Sequence, residues 1–247
     1  MENLTHEQIA ANIRTAKENI RAAAVAAGRD PEEVTLLLAT KTVDAKTINF
    51  ALTQGVNVIG ENRVQELLDK YDAIDKDACE IHFIGRLQTN KVKYIIDKVS
   101  LIHSVDSLKL AAEIDRQAAK HGRVMDVLVE INIGGEESKG GIAPDEAEDF
   151  LKAVSALANI RVVGLMTIPP VVPREPNVND SSDSSKKIYK NGEFFRKIFR
   201  LFLDIGEKKL DNIFMYRLSA GMSDDYESAV MNGATIVRLG RAVFGSR

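Results

Sequence analysis

The sequence predicts a single (β/α)8 barrel, an α/β fold, from three observations. Apolar strand-like segments recur between Thr35 and Gly240, most are followed by a polar or glycine-containing turn and a helix-like stretch, and the length of 247 residues is close to the roughly 250 of one such barrel. The segments are TLLLAT (35–40), VNVIG (56–60), IHFIG (81–85), LIHSV (101–105), VMDVLVEIN (124–132), IRVVGLMT (160–167), FMYRLS (214–219) and ATIVRLG (234–240). Strands separated by helices need crossover connections, so the sheet is parallel. TLLLAT is a continuous apolar run, as expected of a strand buried on both faces. An open doubly wound sheet has a similar rhythm and is the alternative topology.

Before the first strand, Thr5 and Gln8 form a capping-box pattern, and Ile9, Ile13, Ala16, Ile20 and Ala24 repeat at helical spacing until Gly28. This predicts an extra N-terminal helix, under the barrel or on its outer ring. Helical stretches are expected over 44–54, 61–71, 88–98, 107–121, 145–158, 192–209 and 224–232. Residues 169–191 hold four of the six prolines and no apolar periodicity, and read as a mobile insertion after the sixth strand. All 247 residues are expected to form one domain.

With 33 basic and 36 acidic residues the formal net charge is −3, which offers no field for nucleic acid or an anionic membrane. Cys79 is the only cysteine, so neither an internal disulfide nor a thiol zinc cluster can form. No apolar run approaches the 18 or so residues of a membrane span, and MENLTHEQIAANIR lacks a signal-peptide core. Cytoplasmic residence is the expectation.

A barrel gathers its chemistry at the carboxyl ends of its strands. Lys41 leaves the first strand there, where burial would make its amine available to an aldehyde; the alternative is a snorkelling surface lysine. Glu61 and Asn62 follow the second strand and either orient a ligand or cap the next helix. Loops after strands seven and eight hold phosphate in many barrels. Gly221 and Gly240 permit close approach there, Ser219 offers a hydroxyl, and an anion is expected near Ser219, Gly240 and Arg241. Ser223 reads as the N-cap of a helix opening with Asp224 and Asp225. Arg238 lies two residues before Gly240, inside the strand, where one of the two alternating positions points into the barrel; a guanidinium there needs an acceptor, such as a ring nitrogen or a carboxylate of a neighbouring strand. His82 and His103 read as satisfied core groups. No metal, P-loop, GxSxG or GxGxxG pattern is present.

LLLATK (36–41), GENRVQE (60–66), HFIGRLQTNK (82–91), SVDS (104–107), INIGGEESKGG (131–141), GLMTI (164–168), LSAGMSDDYESAV (218–230) and VRLGRAVFG (237–245) together resemble the pyridoxal phosphate homeostasis protein family. The resemblance runs from about residue 5 to 247. It implies a fold like the N-terminal barrel of alanine racemase and pyridoxal 5'-phosphate held on Lys41 as a Schiff base. It also implies Arg238 against the pyridine nitrogen, phosphate at Ser219 and the backbone of Gly240 and Arg241, and Asn62 and Met222 lining ring and phosphate. Three departures stand out: Ala220 where the family usually has methionine, Arg241 where some members have threonine, and a long 169–191 segment.

The function so implied is vitamin B6 homeostasis by a cofactor-binding regulator without established turnover. It would be a monomer, with pyridoxal phosphate-dependent apo-enzymes as partners. An arginine at the ring nitrogen leaves the cofactor a poorer electron sink than an aspartate does. The alternative, an amino-acid racemase or decarboxylase, needs a second acid/base, and the sequence offers no evident counterpart. A third class, a barrel enzyme using Lys41 on a phosphorylated metabolite, needs no cofactor.

Overall fold

The computed structural model of the chain describes residues 4–136, 140–170 and 191–245. Its strands are β1 (Thr35–Ala39), β2 (Val58–Glu61), β3 (Glu80–Phe83), β4 (Leu101–Val105), β5 (Met125–Glu130), β6 (Ile160–Met166), β7 (Ile213–Ser219) and β8 (Ile236–Leu239). They form a closed parallel barrel in chain order, β8 returning to β1, so the open-sheet alternative is excluded.

The period of two along each strand divides the apolar residues into two layers. Leu37, Val58, Leu101, Leu128, Val163, Met166 and Ile236 meet inside the barrel. Their neighbours Leu36, Leu38, Ile59, Ile102, Val127, Val162 and Val237 face the surrounding helices. The β6–β7 seam depends on a glycine. Gly164 has φ +154°, and a Cβ there would lie 1.7 Å from the Arg217 carbonyl on β7.

The helices are α1 (His6–Ala26), α2 (Ala45–Leu52), α3 (Val64–Lys70), α4 (Leu108–Lys120), α5 (Ala147–Ser155), α6 (Gly192–Glu207), α7 (Tyr226–Met231) and α8 (Arg241–Phe244). The capping box on α1 forms as expected: Thr5 N donates to Gln8 Oε1 at 2.8 Å and Gln8 N to Thr5 Oγ1 at 3.2 Å. α1 packs on the outer ring, where Asn12 Nδ2 donates to Val243 O of α8 and Asn19 Nδ2 to the Tyr226 hydroxyl of α7.

One expected helix takes another form. Over 88–98 the chain makes a 3-10 turn, Thr89–Tyr94, with Val92, Ile95, Ile96 and Val99 buried. Thr89 and the following β-branched residues lower α-helical propensity there. Most of the proposed insertion, 171–190, lies outside the described residues.

Candidate functional site

β1 and β8 are neighbours in register, Leu37 opposite Arg238 and Leu38 opposite Leu239. Lys41 and the Gly240–Arg241 turn therefore leave the barrel side by side. Leu37 faces inward, so alternation along β1 turns Ala39 inward as well, and Lys41 follows two residues later in the turn beyond the strand end. A Cβ on Gly240 would meet the Ala39 carbonyl at 3.3 Å, so the two exits are tightly packed. Lys41 itself is exposed, so the burial expected around its amine from the sequence is not present.

The turn bearing Lys41 is tethered from below. Lys70 Nζ, on α3, donates to Thr40 O at 2.8 Å and Val43 O at 3.1 Å, on either side of Lys41. It also lies 2.7 Å from Glu61 Oε1, to which the Thr40 hydroxyl donates. Burial raises the Glu61 carboxyl above its ordinary range, opposed by hydrogen bonds from Lys70 and Thr40. Glu61 is thus a support and caps no helix; α3 is entered through Arg63 without a side-chain cap. Asn62 does not cap either. Its backbone packs where a Cβ on Gly85 would come within 2.1 Å, and its buried Oδ1 has no hydrogen-bond partner among the described residues.

Arg238 points inward and is 5% exposed. Its Nη1 donates to Ser219 Oγ at 2.6 Å and its Nη2 to the Thr167 carbonyl at 3.1 Å. Burial pulls the guanidinium down to about 10, opposed by Asp225 and Glu130. It therefore stays charged at neutral pH. Glu130, at the end of β5, is raised by burial and then by Asp106, while Arg238 and Arg86 lower it. Arg86, Gln88, Asn90, Asp106 and Ser107 line an open cleft of about 770 Å³ at the β3 and β4 exits.

Two expectations about serines need correction. Ser219 is fully buried, and its hydroxyl lies between Arg238 and His103, 3.0 Å from His103 Nδ1, so it is not an open donor for an anion. Ser223 does not cap the following helix, which begins at Tyr226 after Asp225. Its Oγ instead accepts from Ala242 N at 3.1 Å, beside the first turn of α8. That turn presents the Gly240 and Arg241 N–H groups, which no helix can satisfy internally. The two carboxylates beside this turn have partners of their own: Asp224 pairs with Arg241, and Asp225 accepts from Met222 N at 2.7 Å and from Asn191 Nδ2 at 2.8 Å. Met222 is 39% exposed on the rim.

Sequence reasoning missed the histidines' connection. His103 Nε2 lies 3.0 Å from His82 Nδ1, and His82 Nε2 lies 3.3 Å from Glu80 Oε2. The only trace in the sequence is alternation, which puts His103 on the inward side with Leu101.

The whole barrel matches the N-terminal domain of alanine racemase over residues 6–247. A relative from Aquifex aeolicus, named pyridoxal phosphate homeostasis protein, is 44% identical over 93% of this chain and 94% of its own. The chain belongs to the pyridoxal phosphate homeostasis protein family. Among solved structures, an unknown protein from Bifidobacterium adolescentis aligns with TM-score 0.85 at 33% identity, covering 97% of this chain and 95% of its own. PipY of Synechococcus elongatus, solved with pyridoxal phosphate bound, aligns with TM-score 0.77 at 27% identity, covering 96% of this chain and 100% of PipY. This homeostasis-family chain is thus similar to its relatives over nearly its whole length.

Proposed function

We propose that this chain binds pyridoxal 5'-phosphate at the barrel mouth and serves intracellular vitamin B6 homeostasis. The observation that carries this reading is the β1–β8 pairing, which sets a lysine, a buried cationic fork and a backbone anion cradle on adjacent exits. In this reading the Lys41 amine would hold the cofactor covalently through its aldehyde. Arg238 donates to the ring nitrogen; Ser219 and Thr167 occupy two of its five N–H donors. The N–H groups of Gly240 and Arg241, with the Ser223 hydroxyl, would hold the phosphate, and Met222 and Asn62, whose Oδ1 has no partner among the described residues, would line the rest.

When bound, the cofactor would supply electron withdrawal from an attached amine. Arg238 limits this, because a guanidinium does not readily protonate the ring nitrogen. The chain then acts as a carrier or regulator, a monomeric single domain in the cytoplasm that exchanges cofactor with pyridoxal phosphate-dependent apo-enzymes.

Absorption titration of the purified chain with pyridoxal phosphate tests binding: a saturable one-to-one spectral change is expected, and none would contradict it. The absence of turnover is tested by α-proton exchange into deuterated solvent for the common amino acids, against free cofactor. Exchange near the free-cofactor rate is expected. A Lys41-dependent acceleration of several orders of magnitude would make this protein an enzyme.

A further inference from the structure

Five groups join the mouth of the barrel to its opposite end: Arg238, Ser219, His103, His82 and Glu80, with successive separations of 2.6, 3.0, 3.0 and 3.3 Å. Ser219, His103 and His82 are fully buried, whereas the Glu80 side chain, at the start of β3, is 54% exposed. With both histidines neutral, the carboxylate at the Glu80 end fixes the direction of every bond back to Ser219, and Ser219 is left to accept from Arg238. A guanidinium can only donate and an ionised carboxylate can only accept. Ser219 Oγ therefore accepts from Arg238 and gives its hydrogen to His103 Nδ1. His103 then carries its proton on Nε2 and donates to His82 Nδ1, and His82 donates from Nε2 to Glu80. The opposite direction would aim a bare His82 nitrogen at the Glu80 carboxylate. The protonation states agree: burial lowers both histidines, and the His82 hydrogen bond lowers Glu80.

We propose that Glu80, His82, His103 and Ser219 form a one-directional hydrogen-bond relay that positions the Arg238 guanidinium against the ligand ring, with Ser219 serving the ring and not the phosphate. All four are positioning residues, because only Arg238 meets the ligand. Chains of buried hydrogen bonds polarise one another, so the fork is held from a carboxylate at the far end of the barrel. The ring half of this inference rests on the proposed cofactor; the bond direction does not.

Two measurements test the halves separately. Nitrogen-15 shifts of the histidines in the ligand-free chain report the tautomers. Both His82 and His103 are expected to be protonated on Nε2 with Nδ1 as acceptor, and protonation on Nδ1 in both would overturn the relay. Glu80→Gln, at an accessible position, replaces the acceptor-only group with an amide that both donates and accepts. Loss of a single tautomer at His82 is expected, and an unchanged tautomer would contradict the role of Glu80.

Ser219→Ala is then compared with wild type in binding pyridoxal, which lacks the phosphate, and pyridoxal phosphate. A ring-side role predicts that both weaken by the same factor, about tenfold for one lost hydrogen bond to a charged group. Weakening confined to pyridoxal phosphate, or no weakening at all, would overturn the assignment. Failure of wild type to bind either ligand would defeat the proposed function while leaving the tautomer result to stand on its own.

Discussion

Lys70 Nζ lies 2.7 Å from Glu61 Oε1 beneath the mouth of the barrel, and the same ammonium holds the carbonyls of Thr40 and Val43 around Lys41. The ion pair is thereby a clamp on the turn that presents the lysine. Both partners are largely out of solvent, so removing one leaves an uncompensated charge. Lys70→Met is expected to cost about 3–5 kcal/mol, the range for breaking buried pairs, and Glu61→Leu with Lys70→Met together to cost less than Lys70→Met alone. Urea unfolding of the variants checks this; equal losses would mean the clamp has no internal coupling.

Arg238→Gln separates ligand binding from structure. Losing a charge-assisted contact to a ring acceptor is expected to weaken pyridoxal phosphate binding by roughly 1.5–3 kcal/mol, about ten- to a hundred-fold. Unchanged affinity with a large drop in melting temperature would reduce Arg238 to a structural bond holding Ser219 and Thr167.

The buried histidines give stability a pH dependence. Both lie below the ordinary histidine value, chiefly through burial, with Arg217 lowering each further and Glu80 opposing this at His82. A depressed value means the unfolded chain binds protons first, below about pH 6.5. Stability is therefore present above that pH and falls as acid carries the chain toward the folded-state values. Melting temperature is expected to decline from about pH 7 to 5.5, and less steeply in His82→Asn. Parallel profiles for wild type and variant would contradict this.

Gly164→Ala tests the barrel seam. The positive φ and the approach to the Arg217 carbonyl leave no room for a methyl group, so β6 and β7 must separate. A loss of about 4 kcal/mol or more, or insoluble protein, is expected. A normal melting temperature would mean the seam is looser than described.

The barrel was legible because its signals are local. Apolar runs such as TLLLAT mark strands, and the Thr5 and Gln8 cap marks the start of α1. Position alone singles out Lys41 and Arg238 as candidates, one just past a strand end and the other within the last strand. Relationships across the barrel left no local trace. Ser219, at the end of β7, and Ser223, four residues later in the loop, differ in role because one turns inward to Arg238 and the other reaches Ala242. Likewise, Lys70 looks like an ordinary C-terminal helix lysine until Glu61 is folded against it.

The central claim is that Lys41 carries the cofactor. Borohydride reduction of the chain loaded with pyridoxal phosphate, followed by peptide mapping, tests it most directly. One dominant pyridoxyl label on the Lys41 peptide is expected, with only weak labelling of other surface amines. A label mainly on Lys70, Lys91 or Lys139, or none that resists dialysis, would contradict the account.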